Sequence, residues 1–144
     1  MQEYVTGFLF DKHEQMVALV KKNRPEWQAG RWNGIGGKIE PGEIPADAMR
    51  REFWEETGLQ IDEWTHFITI FGKEFRVHFF YSHADYPILN EVQTKTDEVI
   101  EVWYIDNLSE EPIIANLKWL IPMALSFAHK YEFADHFELE YKQL

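Results

Sequence analysis

The chain has 144 residues, 45% of them hydrophobic, and a formal net charge of -11 at pH 7. That length suits one hydrophobic core, since two domains would each have too little to bury, and the acidic balance repels duplex nucleic acid and anionic membrane surfaces. With no Cys, disulfide frameworks and thiol catalysis are excluded.

No apolar run approaches the roughly 20 residues that span a bilayer, and the opening Met1-Gln2-Glu3-Tyr4 lacks the basic start of a secretory signal. We therefore expect one domain over residues 1–144, soluble and cytoplasmic, with no polymeric nucleic-acid or membrane partner. Nothing in the sequence bears on its oligomeric state. Charge is uneven: Lys21, Lys22, Arg24, Arg31 and Lys38 are five of the 14 basic residues, and Glu26 is the one acid between them. That stretch can hold a small phosphate or can simply be solvated strand ends.

In chain order, residues 3–10 and 15–22 read as strands joined by the polar turn Asp11-Lys12-His13-Glu14, an opening hairpin. Residues 31–36 form a Gly-rich extended piece, and residues 38–44 contain the turn pair Pro41-Gly42. A helix is expected over 46–57, with Pro45 in its first turn and Gly58 in the left-handed stop position. Residues 64–71 and 74–82 are β-branched and aromatic, with Gly72-Lys73 as a two-residue hairpin turn. A strand over 98–105, an apolar helix over 116–131 broken or kinked by Pro122, and a terminal strand over 137–141 complete a mixed α+β domain.

At about 100° per residue, Glu52, Glu55 and Glu56 fall within one arc of the central helix. Ala46, Met49 and Phe53 lie beside that arc as the packing face, leaving Asp47, Arg50 and Trp54 outward. Carboxylates at helical spacing repel one another, and a hard divalent cation such as magnesium, which prefers oxygen ligands, would compensate them. The six His, at positions 13, 66, 78, 83, 129 and 136, show no ligand spacing that would compete as a zinc site.

An acidic helix face alone is commonly just solvated, but its surroundings are specific. Gly37 is followed after five residues by Glu43, and after seven more by Arg51-Glu52-Phe53-Trp54-Glu55-Glu56-Thr57-Gly58-Leu59. In order and spacing, residues 37–59 resemble the signature box of the Nudix hydrolases, with Phe53 where the family usually has an aliphatic residue. At typical residue frequencies, a chance match at seven fixed positions has odds below about one in a million.

The resemblance implies the Nudix fold, an α/β/α sandwich with a mixed β-sheet. It implies that Glu52, Glu55 and Glu56, with the Gly37 carbonyl, hold Mg2+ or Mn2+, and that Arg51 with Glu43 orients the carboxylates. Glu98 matches a further acid that family members often place outside the box. The implied reaction is attack of an activated water on a phosphoanhydride phosphorus, with Glu56 or Glu55 taking the proton. Arg24 and Lys38 are candidates for contacts to the remaining phosphates.

Beyond the box, Gly30-Arg31-Trp32-Asn33-Gly34-Ile35-Gly36-Gly37-Lys38 resembles the 8-oxo-dGTP diphosphatase, or MutT-like, branch, as do Thr96-Asp97-Glu98, Trp103-Tyr104 and residues 119–125. In that branch the Asn matching Asn33 reads the purine edge; the plainer role for Asn33 is a turn residue before Gly34. Asn116 and Leu117 stand where the branch carries an acidic base-reading pair. The expected activity is thus a nucleoside triphosphate pyrophosphohydrolase that accepts purine deoxynucleotides and discriminates oxidised guanine weakly.

Two other substrates fit less well. The Pro that marks ADP-ribose pyrophosphatases is replaced by Glu74 and Phe75, and the Tyr of dinucleoside polyphosphate hydrolases by Arg76-Val77. A non-catalytic nucleotide-binding module would usually lose box carboxylates, and here all are retained.

Overall fold

The computed structural model describes residues 1–129 and 137–142. Strands β1 (Gln2–Asp11) and β2 (Met16–Lys21) form the expected antiparallel hairpin, with Leu9 opposite Ala18. Asp11 is buried and fastens the turn, its Oδ1 accepting the backbone N–H of Gln15 at 2.8 Å and of Met16 at 2.7 Å. The Gly-rich piece divides at Gly34 into β3 (Trp32–Asn33), which pairs with β2, and β4 (Ile35–Lys38), which pairs with β1.

The central helix α1 (Pro45–Thr57) is followed by β5 (Thr65–Phe71) and β6 (Phe75–Ala84), then by the short α2 (Tyr86–Leu89). Next come β7 (Ile100–Tyr104), α3 (Leu117–Ala128) and β8 (Phe137–Glu140). The strands make one mixed sheet in the order β3-β2-β1-β6-β5-β8, with β4 beside β1 and β7 beside β2. β1 runs parallel to β6 but antiparallel to β2 and β4.

Alternation along β1 sends its side chains into two layers. Val5 and Leu9 pack with Ala48, Met49 and Phe53 of α1, whereas Phe8 and Phe10 pack with Leu117, Leu120 and Ile121 of α3. A helix on each face of a mixed sheet is the expected α/β/α sandwich. Gly7 permits the close approach on the first face, since a Cβ there would stand 2.6 Å from the Met49 methyl.

Several local expectations are corrected. α3 is not broken at Pro122, which sits inside a continuous helix, and the expected extension to Tyr131 lies outside the described residues. The β5–β6 connection is residues 72–74 and not the Gly72-Lys73 pair alone. Glu98 precedes β7, on a bend, so it does not open that strand. Ala48 is the fully buried alanine of α1, while Ala46 and Arg50 are half-buried. Arg50 is tied down by the Asp62 carbonyl at 2.7 Å and Asp47 at 2.6 Å.

Candidate active site

The site is built from one edge of α1. Pro45 sits in the first turn, and Gly58 ends the helix in the left-handed conformation at φ 73°, its N–H donating to the Trp54 carbonyl at 2.8 Å. The N–H groups of Gln93 and Lys95 donate to the carbonyls of Thr57 and Glu56, at 3.0 and 3.3 Å, so these two carbonyls of the last turn are satisfied. With Met49 and Phe53 buried against the sheet, Glu52 and Glu56 are left half-buried beside the packed face. Glu55 is exposed. A side chain at Gly37 would place its Cβ 2.4 Å from the Glu52 carboxyl carbon, so glycine at 37 lets the β4 backbone lie against this carboxylate without displacing it.

Arg51 organises the first group of acids. Its Nε and Nη2 donate to the two Glu43 oxygens at 2.8 and 2.9 Å, and Nη1 donates to Glu52 at 2.8 Å and Glu55 at 3.2 Å. Nη2 also donates to the Lys38 carbonyl at 3.0 Å, fixing the end of β4 to α1. The Arg51 hydrogen bonds hold the Glu43 carboxyl below its ordinary range. Glu52 shifts the other way, because desolvation outweighs the Arg51 contacts.

A second group gathers around Thr96. The Thr96 hydroxyl donates to Glu56 Oε2 at 3.1 Å, and the Glu98 backbone N–H donates to that hydroxyl at 3.2 Å. Desolvation raises the Glu56 carboxyl, with the Glu98 and Glu52 charges acting in the same direction. Glu98, 4% exposed, accepts from Lys22 Nζ at 2.9 Å and from the Asn23 N–H. Burial opposes its ionised form, but the Asn23 amide, Lys22 and Arg24 together hold its carboxyl below the usual range.

Among the described residues no three His, Cys, Asp or Glu side chains form a ready-made metal cage. The donors nevertheless suit a hard cation: all are oxygens, burial raises two of the carboxyls, and the Gly37 backbone lies directly against Glu52. A carboxylate offers about four lone-pair sites, so Arg51, Thr96 and Lys22 orient these acids without saturating them.

A cavity of about 1080 Å3 adjoins this edge, its wall formed in part by Gly36, Gly37 and Lys38. Lys22, Arg24, Arg31 and Lys38 of the basic stretch all line it. Arg24 is paired with Asp97 and Lys38 is exposed. Asn33 also lines the cavity, but its amide is engaged: Nδ2 donates to Gln28 at 3.1 Å, and Oδ1 accepts from the Gly34 N–H at 2.7 Å. Asn116, just before α3, also lines the cavity, and its Oδ1 is buried without a hydrogen-bond partner among the described residues. Leu117 is buried in the core.

Sequence reasoning did not single out Trp27, whose side chain remains 65% exposed on the cavity rim, or Gln28 beneath it. The aromatic at 27, between the basic residues Arg24 and Arg31, was the available signal. Thr96 and Lys22 carry no signal of their own beyond the Thr96-Asp97-Glu98 motif and the basic stretch.

The profile of the NUDIX domain matches residues 2–137. The oxidized purine nucleoside triphosphate hydrolase of Mus musculus is 31% identical over 134 residues, covering 88% of this chain and 80% of that protein. The ADP-ribose pyrophosphatase of Haemophilus influenzae is 33% identical over 88 residues, covering 53% of this chain and 41% of that protein. Among solved structures, the NUDIX domain of Shewanella oneidensis NrtR complexed with ADP ribose superposes with a TM-score of 0.74 at 19% identity, covering 88% of this chain and 87% of that one. The MutT protein of Bacillus halodurans gives 0.69 at 21%, covering 99% and 91%. The two structures share the fold, and the profile and the mouse protein share the family. The chain therefore belongs to the NUDIX domain family and is a Nudix hydrolase.

Proposed function

We propose that this hydrolase is a Mg2+- or Mn2+-dependent nucleoside triphosphate pyrophosphohydrolase that accepts purine deoxynucleotides, oxidised ones included, and releases the monophosphate and pyrophosphate. The observation that carries the reading is the position of Gly37 and Lys38: they line the cavity on one side and meet Glu52 and Arg51 on the other. A base in the cavity thereby has its phosphates beside the acids. The name of the mouse relative supports the substrate class.

Members of the family generally use divalent metal ions. Glu52, Glu55, Glu56, Glu98 and the Gly37 carbonyl would hold the ion. When bound, it supplies Lewis-acid charge that offsets the phosphate charge and makes a water more acidic. Glu56 would take the proton of the attacking water as the water oxygen bonds to phosphorus and the bridging P–O bond breaks, the pyrophosphate departing with the bond's electrons. Half-burial favours Glu56 for this task, because desolvation raises the proton affinity of its carboxyl. Glu55 is exposed and bonded to Arg51, which suits it less.

Lys22, Arg24, Arg31 and Lys38 offer cations to phosphate oxygens at the cavity wall. Their local charge lets an acidic protein take an anionic substrate. The exposed face of Trp27 can stack on a base, and Asn116 Oδ1 can accept one of its N–H groups.

The test is release of pyrophosphate and phosphate from 8-oxo-dGTP, dGTP, dATP, dCTP and ADP-ribose with Mg2+. Purine triphosphates are expected to give pyrophosphate with the highest kcat/KM. A preference for ADP-ribose, the substrate named for the Haemophilus relative, would overturn the substrate assignment.

A further inference from the structure

Thr96 stands between two acids that the proposed reaction uses. A hydroxyl has one proton to donate. Here the Glu98 N–H reaches the oxygen at 3.2 Å and the proton is directed at Glu56 Oε2, 3.1 Å away. This is the one side-chain hydrogen bond of the Glu56 carboxylate among the described residues.

The backbone carrying Thr96 is fixed on both sides. Towards α1, Gln93 and Lys95 bond the Thr57 and Glu56 carbonyls, and the Ile100 N–H donates to Thr94 Oγ1 at 2.9 Å. Towards the cavity rim, Lys22 and the Asn23 N–H hold Glu98, and Asn23 Nδ2 donates to the Asp97 carbonyl at 2.8 Å. The hydroxyl is therefore a fixed point against which a flexible Glu side chain is set. A Glu loses rotamer freedom when it grips an ion, and a partner that already selects one rotamer removes part of that cost.

We infer that Thr96 is a positioning residue: its hydroxyl selects the conformer of Glu56 and thereby raises the affinity of the carboxylate site for its divalent ion. The inference rests on the metal-dependent reading above and adds to it a residue outside the box. It predicts that the hydroxyl matters and the methyl does not.

The experiment measures free Mn2+ by electron paramagnetic resonance, without nucleotide, for wild type, Thr96→Val, Thr96→Ala and Thr96→Ser. Thr96 is exposed, so these changes open no core cavity. Alanine provides a second hydroxyl-free variant if valine fails to fold. Loss of the hydroxyl is expected to raise the Mn2+ dissociation constant about tenfold, as for a hydrogen bond to a charged group, while serine stays within about twofold. The same variants should lower kcat with the nucleotide KM unchanged, again rescued by serine. Hydroxyl-free variants that bind Mn2+ like wild type, or a serine variant as weak as valine, would overturn the role of Thr96. Wild type that binds no Mn2+ would instead sink the metal-dependent reading itself.

Discussion

Arg51 meets Glu43 through two parallel hydrogen bonds, Nε to Oε2 at 2.8 Å and Nη2 to Oε1 at 2.9 Å. Only a guanidinium makes such a fork while also reaching Glu52, Glu55 and the Lys38 carbonyl. Arg51→Lys is therefore expected to lower kcat by about tenfold or more and to reduce stability by about 1–3 kcal/mol, through lost charge-assisted hydrogen bonds. Glu43→Gln removes one partner and should cost less on both counts. Thermal melts and steady-state kinetics on the two variants check the ranking, and equal effects would contradict it.

Glu56 and Glu98 should move stability in opposite directions. Desolvation raises the Glu56 carboxyl in the folded protein, so its stabilising contribution is complete below the unfolded carboxyl range and is lost as pH rises through the folded value. At neutral pH the metal-free fold carries an ionised group at a cost, and Glu56→Gln is expected to raise the melting temperature in EDTA. That gain should vanish below about pH 4, where both forms are neutral. The same variant should lose about 10²-fold or more in kcat, about 2.7 kcal/mol of transition-state stabilisation. A lower neutral-pH melting temperature for Glu56→Gln would contradict the argument.

The opposite sign applies to Glu98. Although burial opposes its ionised form, the Asn23 amide and Lys22 hold its carboxyl low, so its contribution is present above the unfolded range and fades as pH falls through the folded value. Glu98→Gln leaves Lys22 without its charged partner. The expected loss at neutral pH is about 2 kcal/mol, less than the cost of breaking a fully buried pair because Lys22 is 20% exposed. Denaturant unfolding at pH 7 and pH 4 measures it, and a loss that does not shrink at the lower pH would count against the pairing.

The contrast between these two acids also marks what the sequence could reveal. α1 was legible because Pro45, Gly58 and the spacing of Met49, Phe53 and the glutamates are local signals within one helix. The hairpin followed similarly from alternation, whereas the mixed sheet was implied by the family resemblance alone. The β-branched Val99 and Ile100 that follow Glu98 predict a strand there, whereas it is drawn onto a bend by contacts to Lys22 and Asn23, more than seventy positions away. Helices as short as α2 carry too few turns for periodicity to register. Asn33 and Asn116 are both carboxamides, and only the fold distinguishes the engaged amide from the one whose oxygen has no partner among the described residues.

That distinction sets the final prediction. The Asn33 amide is held by Gln28 and Gly34, so it can meet a purine with at most its second proton and remaining lone pairs. Asn116 Oδ1 is buried and has no hydrogen-bond partner among the described residues, and a base N–H placed against it would satisfy an acceptor that otherwise costs about 1–3 kcal/mol. Because a carboxamide does not titrate, Asn116 cannot switch its donor pattern to suit one oxidation state of guanine, and its neighbour Leu117 lies in the core with no polar group to add. The wild-type enzyme is therefore expected to accept 8-oxo-dGTP and dGTP with similar kcat/KM. Asn116→Ala should raise the KM for purine triphosphates by about tenfold with kcat preserved, and Asn33→Ala should flatten base preference mainly through KM while loosening the rim at Gln28. The check is kcat and KM for 8-oxo-dGTP, dGTP, dATP and dCTP in wild type and both variants. If both variants kept the wild-type base ranking and KM values, the base would have to lie against a different wall of the cavity.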